Sequence, residues 1–372
     1  MMQFKSPLKI AVLPGDGIGV DVTHAALPVF HALNIPVELT TGDIGWTFWQ
    51  KEGTAIPQRT WQLIKQSDTI LLGATTSKPK REAIAELADA FHQAPPDYVS
   101  PIIQLRQHLD LFANIRPCFA IKNTDRFNCC IIRENTEGLY SGFDYYPLPA
   151  PLKELINDNP AWRTLAASEV SCTLRLQTKP GLKRLFEFAF QYADQQHMKR
   201  VTLADKPNVL RHSSAFVREL FEAVASQYSH LKADILNVDA VALWLIRRPE
   251  EFGVIVAENM FGDILSDVGA AVMGGLGFAP SANVGHKGCY FEPVHGSAPR
   301  IEAHKANPCA MFLTIGLLLR HFGYNVQAEK IKEAVAAVVN EQRFITYDLG
   351  GHSTTEIMAE AIIERAYALS KT

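Results

Sequence analysis

The chain has 372 residues, and its 36 Lys+Arg against 39 Asp+Glu leave a formal charge of −3. Hydrophobic residues make up 47% and charged residues 20%, the balance of an ordinary globular protein with two domains or one two-lobed unit. This balance, with no basic stripe and no apolar run near the roughly 18 residues that span a bilayer, argues against a nucleic-acid or membrane partner.

Cys118, Cys129, Cys130, Cys172, Cys289 and Cys309 are scattered with no C-x-x-C pair. They read as reduced, buried thiols rather than a disulfide framework or a zinc site. No signal-type apolar segment precedes Leu8, so a cytoplasmic compartment is expected.

Strand-like runs at Lys9–Leu13, Val37–Thr41 and Thr69–Leu72 alternate with amphipathic stretches at 18–33 and 58–66. Cys129–Arg133, Val170–Leu176, Val201–Leu203, Ile235–Val238 and Val254–Ala257 continue the strand theme. Helical patterns fill 179–197, 208–228, 261–273, 307–322, 327–340 and 354–369. The alternation predicts an α/β architecture with parallel strands.

The first strand runs into Pro14-Gly15-Asp16-Gly17-Ile18-Gly19. The third glycine comes too early for a dinucleotide fingerprint, so the segment reads as a tight strand-to-helix turn. Arg106 and Arg116 bracket Leu-Arg-Gln-His-Leu-Asp-Leu-Phe-Ala-Asn-Ile-Arg-Pro, and Arg133 opens Arg-Glu-Asn-Thr-Glu-Gly-Leu-Tyr, which ends on Tyr140. Guanidinium groups clamp carboxylates in two-pronged fashion, so three together suit a di- or tricarboxylate, although each alone also fits an ordinary ion pair.

Segment 141–163 carries Pro147, Pro149, Pro151 and Pro160 among Tyr145, Tyr146 and Trp162. Prolines at that density argue against a regular helix and predict either a surface loop or an arm that crosses to a second subunit. Lys206 and Asp239 each follow an apolar strand, where open α/β sheets place ligands and where solvent-exposed capping is equally consistent.

Asn259-Met260-Phe261-Gly262-Asp263-Ile264-Leu265-Ser266-Asp267 places two carboxylates one helical turn apart. An acidic pair at a helix N-terminus complements the helix dipole, and oxygen donors on one face also suit Mg²⁺ or Mn²⁺. Phe291-Glu292-Pro293-Val294-His295-Gly296-Ser297-Ala298-Pro299-Arg300-Ile301 reads as a rigid loop whose backbone N–H groups face a ligand. No second histidine lies at ligand spacing from His295.

Together these segments, from about residue 8 to 366, resemble the β-decarboxylating dehydrogenases acting on isocitrate, homoisocitrate, 3-isopropylmalate, tartrate or D-malate. The resemblance implies a non-Rossmann, two-lobed α/β fold around a central mixed sheet and a homodimer with shared active sites. One lobe would combine 1–111 with 274–372, and the other would span 112–273 with the 141–163 arm. By the same resemblance, Arg106, Arg116 and Arg133, with Ser100, bind the substrate. Asp263 and Asp267, with Asp239 from the neighbouring subunit, hold Mg²⁺ or Mn²⁺. Tyr140, Lys206 and Asp239 do the acid–base work, Lys206 serving the neighbouring site. Thr75 and Thr76 lie near the nicotinamide, while Glu292, His295, Gly296, Ser297, Ala298, Pro299, Arg300, Asn307 and Tyr347 take the rest of NAD or NADP.

Substrate choice in this family lies before the first arginine, where this chain reads Tyr98-Val99-Ser100-Pro101-Ile102-Ile103-Gln104-Leu105. Ser100 resembles isocitrate and homoisocitrate members, whereas Ile102 and Ile103 suit the apolar pocket of 3-isopropylmalate members. NAD-using members carry aspartate where Arg300 stands, so this position leans to NADP. Tyr347 agrees with NADP use, and Gly351 replaces the second arginine of such members. A non-catalytic regulatory subunit on the same fold is the remote alternative.

Overall fold

The computed structural model describes residues 7–122 and 126–371. Ten strands form one mixed sheet in the order β2 (Val37–Thr41), β1 (Leu8–Gly15), β3 (Thr69–Ala74), β12 (Cys289–Pro293), β11 (Pro280–Val284), β4 (Ala113–Phe119), β5 (Asn128–Glu134), β10 (Val254–Ala257), β8 (Arg200–Asp205), β9 (Lys232–Asn237). The first four run parallel, as do the last four. Between them β11 and β4 make antiparallel pairs with their neighbours, so the two parallel wings run in opposite directions. The expected central mixed sheet is present. β1, β3 and β10 are apolar without alternation because helices cover both faces.

Several expected elements differ in detail. The 18–33 pattern splits into helices Ile18–Ala26 and Pro28–Ala32, the second opening with a proline at its first turn. β11 and the start of β12 lie in a stretch for which no element is expected, and residues 291–293 are strand rather than part of a rigid loop. Of the expected strand 170–176, β7 is Cys172–Thr173, which pairs with β6 (Asp144–Tyr145) in a ribbon apart from the main sheet. The proline-rich segment contains a short helix, Ala150–Ile156, contrary to expectation. Pro151 falls in its first turn, where its missing N–H costs nothing.

The helix Asn259–Met273 positions both acidic residues of the candidate site. The Glu258 side chain accepts from the Phe261 amide at 3.0 Å to cap its start, and Gly274, at φ +116°, ends it in the left-handed region. Gly262 and Gly269 let it lie flat on β4 and β5, since an added Cβ would stand 2.6 Å from the Arg133 Cβ and 2.5 Å from the Cys118 Sγ. Among the described residues no helix is long and apolar enough to cross a membrane.

Candidate active site

The C-terminal ends of the two parallel wings carry nearly every residue singled out in the sequence, as expected for an open α/β sheet. Arg116 and Arg133 emerge from adjacent strands onto the face covered by helix Asn259–Met273, and both are buried. Arg133 pairs with Asp263 and donates through Nε to the Asn259 Oδ1 at 2.9 Å. The Arg116 guanidinium lies 3.7 Å from Asp263 and 3.8 Å from Asp267, and its Nε donates to the Asn114 Oδ1 at 2.7 Å. Arg106, on the last turn of helix Pro101–His108, reaches Tyr290 Oη at 3.4 Å and Glu292 at 3.7 Å. Tyr140 donates to Asp263 at 3.4 Å, and its ring lies beneath the Arg133 guanidinium at 5.5 Å.

Three guanidinium groups, Arg106, Arg116 and Arg133, face three carboxylates, Asp263, Asp267 and Glu292. Burial, followed by repulsion from Arg106 and Arg116, pushes the Arg133 guanidinium down to about 10. Burial also lowers Arg116. Desolvation raises Asp267 above the ordinary carboxylate range, and the Asp263 charge adds to the rise. Desolvation and Asp263 likewise raise Tyr140, which keeps its phenol protonated. A desolvated carboxylate, Asp267, beside buried guanidinium groups fits a divalent cation and a carboxylate ligand bound together.

Lys206 follows β8 and Asp239 follows β9, and the two form an ion pair. The lysine's ammonium lowers the Asp239 carboxyl below its usual range. The helix that opens with Asp239, Val238–Arg247, packs against the helix that carries Asp263 and Asp267. Among the described residues no group of three His, Cys, Asp or Glu side chains could hold a metal.

The ends of the other wing form a second group. Thr76 Oγ1 and Ser297 Oγ lie 2.7 Å apart, and Ile18 N donates to the Ser297 carbonyl at 3.2 Å. Thr75, half-buried, sits beside Thr76 just after β3. Next to them a pocket of about 380 Å³ is lined by residues that include His295, Gly296, Ala298, Asn307 and Tyr347. Its His295 Nε2 is buried with no hydrogen-bond partner among the described residues, which suits a bound polar ligand. Asn307 is fixed by donating to Asp348 at 3.0 Å. A neighbouring pocket of about 420 Å³ shares Ile301 and Tyr347 and carries Arg300, Lys305 and His352. Pro299 is exposed between Ala298 and Arg300. Glu292 is placed elsewhere: it accepts from Asn283 at 3.0 Å and from Tyr290 at 3.1 Å, on the Arg106 side.

Ser100 stands at the N-terminal cap of helix Pro101–His108, one turn and a half before Arg106. Val99 and Ile103 are exposed, while Ile102 packs inward against Leu105 and its neighbours.

Several residues with defined roles here carry little signal in the sequence. Asp16 accepts from the amides of Trp46 at 2.8 Å and Thr76 at 2.8 Å, tying three loops together. Its one signal is an acid between two glycines at a strand end. Asn259 and Asp348 give none for the bonds they make here, because Arg133 and Asn307 lie far from them in sequence.

Residues 9–364 match the family model described as isocitrate/isopropylmalate dehydrogenase. Over 370 residues the chain is 65% identical to protein DlpA of Legionella pneumophila subsp. pneumophila; the match takes in 99% of this chain, which spans 60% of the length of DlpA. It is 39% identical over 363 residues to the 3-isopropylmalate dehydrogenase of Methanothermobacter thermautotrophicus, covering 95% of this chain and 97% of that protein. The crystal structure of isocitrate dehydrogenase from Methylococcus capsulatus superposes with a TM-score of 0.83 at 34% identity, covering 97% of this chain and 99% of that one.

Proposed function

Because the chain belongs to the isocitrate/isopropylmalate dehydrogenase family, we propose that it oxidatively decarboxylates a 2-hydroxy di- or tricarboxylic acid with NAD(P). The observation that carries this reading is the buried pair Arg116 and Arg133, joined by Arg106, against Asp263 and Asp267 at one end of the sheet. Three guanidinium groups neutralise the carboxylates of the acid, and their fixed forks orient it.

Asp263 and Asp267 would hold Mg²⁺ or Mn²⁺, with Asp239 of a second subunit completing the set, and the ion would act as a Lewis acid toward the hydroxyl and the developing enolate. As hydride leaves for the nicotinamide, Lys206, also contributed across a dimer interface, would take the hydroxyl proton in its neutral amine form, which requires that the ammonium paired with Asp239 first lose its proton. Tyr140, protonated and beside Asp263, returns a proton to carbon once carbon dioxide has departed.

A homodimer is supported by two facts. Among the described residues Asp239 joins no metal-holding group of three with Asp263 and Asp267. Helix Val238–Arg247, which carries Asp239, also exposes Leu243, Trp244 and Ile246. We assign residues 1–111 with 274–372 to one lobe and 112–273 to the other, matching the two parallel wings of the sheet. The arm 141–163 belongs to the second.

For the substrate, Ser100 supports isocitrate or homoisocitrate, its hydroxyl serving an additional carboxylate. A second reading, 3-isopropylmalate, is favoured by the exposed Val99 and Ile103, which offer an apolar surface on either side of Ser100. A panel of isocitrate, homoisocitrate, 3-isopropylmalate, tartrate and D-malate with Mg²⁺ or Mn²⁺ and each cofactor tests this directly. Reduced nicotinamide should appear with one of the first three. Its absence with all five would leave the regulatory-subunit alternative standing.

NADP is the favoured cofactor, supported by Arg300, Lys305 and His352 around one pocket. Arg300→Asp is expected to lower the NADP-to-NAD ratio of kcat/KM by roughly 10–100-fold, the worth of a charge-assisted pair of about 1.5–3 kcal/mol. An unchanged ratio would move the 2′-phosphate away from Arg300.

A further inference from the structure

From the geometry at the ends of β10 and β8 we infer that Arg175 is a positioning residue, a clasp that holds Lys206 and the acidic helix in register with the base of the arm. The inference rests on the proposed dehydrogenase function, which assigns Lys206, Asp263 and Asp267 their tasks.

Arg175 lies just beyond β7, where the chain returns from the arm. This return is anchored to the segment before Tyr140. Gly138 and Leu176 form an isolated antiparallel bridge, and Thr178 donates to Glu137 at 2.8 Å through its amide and 2.6 Å through its hydroxyl. From that base Arg175 reaches inward. Its Nη2 lies 3.3 Å from the Asp205 Oδ1 and its Nε 3.8 Å from the Glu258 Oε2. Its guanidinium also sits over the Phe261 ring at 5.3 Å.

Asp205 immediately precedes Lys206. Glu258 caps the helix that carries Asp263 and Asp267, and Phe261 lies in its first turn. β10 and β8 are neighbours, so Arg175 stands between the Arg133–Asp263 side and the Lys206–Asp239 side. Both carboxylates are buried, with side chains 4% and 3% exposed. Two buried negative charges on adjacent strand ends repel unless a cation joins them, and Arg175 is the cation paired with both. A planar fork faces two carboxylates in one fixed geometry, whereas the rotatable donors of a lysine ammonium fix no such geometry. Nη2 donates to the Asp205 Oδ1, whereas Nε and Nη1 of Arg175 and Oε2 of Glu258 are buried with no hydrogen bond among the described residues, so the Glu258 half holds by charge and has room to tighten.

Arg175→Lys tests this, because it keeps the charge and loses the fork. We expect kcat to fall at least about 10-fold while KM for the acid and the cofactor stays within about twofold. Mn²⁺ affinity, measured by paramagnetic resonance without substrate, should fall several-fold as the capped end of the acidic helix loosens. Cofactor binding, measured by fluorescence, should not change. Arg175→Met with Asp205→Asn and Glu258→Gln removes all three charges and should recover thermal stability relative to Arg175→Met alone, without recovering kcat.

Unchanged kcat and Mn²⁺ affinity in Arg175→Lys would overturn the clasp. So would a parallel loss of cofactor affinity, which marks general loosening. A wild-type protein that binds no Mn²⁺ would instead overturn the dehydrogenase function on which the clasp rests.

Discussion

Lys206→Met is expected to lower turnover by on the order of 10²–10⁴-fold, the usual range for loss of a positioned acid–base group. The methionine keeps an unbranched stem one atom shorter and deletes the amine. Since Lys206 is partly exposed and pairs with an exposed Asp239, the folded state should tolerate the change, and thermal unfolding should shift by no more than a surface ion pair is worth. Acid-substrate affinity, which depends on Arg106, Arg116 and Arg133, should survive. If two subunits share each site, mixing Lys206→Met chains with Asp263→Asn chains should restore part of the activity, because some hybrid dimers retain one intact site. Near-normal turnover in the single variant would remove Lys206 from the chemistry. Absence of complementation would remove the sharing.

Asp263→Asn should be at least as damaging and should cost stability too. One carboxylate here pairs with Arg133, lies 3.7 Å from Arg116 and accepts from Tyr140. Neutralising it leaves two buried guanidinium groups with less compensation, and breaking a buried pair costs up to about 3–5 kcal/mol, less here because Asp263 is partly exposed. It also deletes an oxygen donor to the cation. Lewis-acid stabilisation is worth several kcal/mol, so on the order of 10³-fold should go from kcat/KM, at about 1.36 kcal/mol per decade. Excess Mn²⁺ should rescue part of the rate without rescuing the melting temperature. Wild-type-like kinetics at limiting Mn²⁺ would take Asp263 out of the metal site.

These effects divide according to how the groups come together. Asp263 and Asp267 are visible as a pair because helical spacing alone sets them on one face. Arg116 and Arg133 are visible as awkward cations beside apolar runs, and the antiparallel register of β4 with β5 makes them neighbours. Asp16, Arg175 and Glu258 are not legible in this way. Their partners lie 60 residues away for Asp16 with Thr76 and 30 for Arg175 with Asp205. No local period encodes such distances.

Glu292 illustrates the same limit. Its segment resembles a cofactor loop, but strand pairing of β12 with β11 turns its carboxylate toward Asn283, Tyr290 and Arg106. The arm helix Ala150–Ile156 escapes a reading of proline density that ignores position. A proline in the first turn removes an N–H that has no partner in any helix.

By itself the sequence determined the alternating elements, the paired acids, the arginine set and the resemblance to one family, because these depend on spacing along the chain or on local residue type. Tertiary structure alone decided that two parallel wings meet through β11 and β4, that Arg106 meets Glu292, and that Arg175 pairs with both Asp205 and Glu258. The physical reason is that sheet order and the burial of charge are settled by which strands pack side by side, and that is a property of the whole core rather than of any segment.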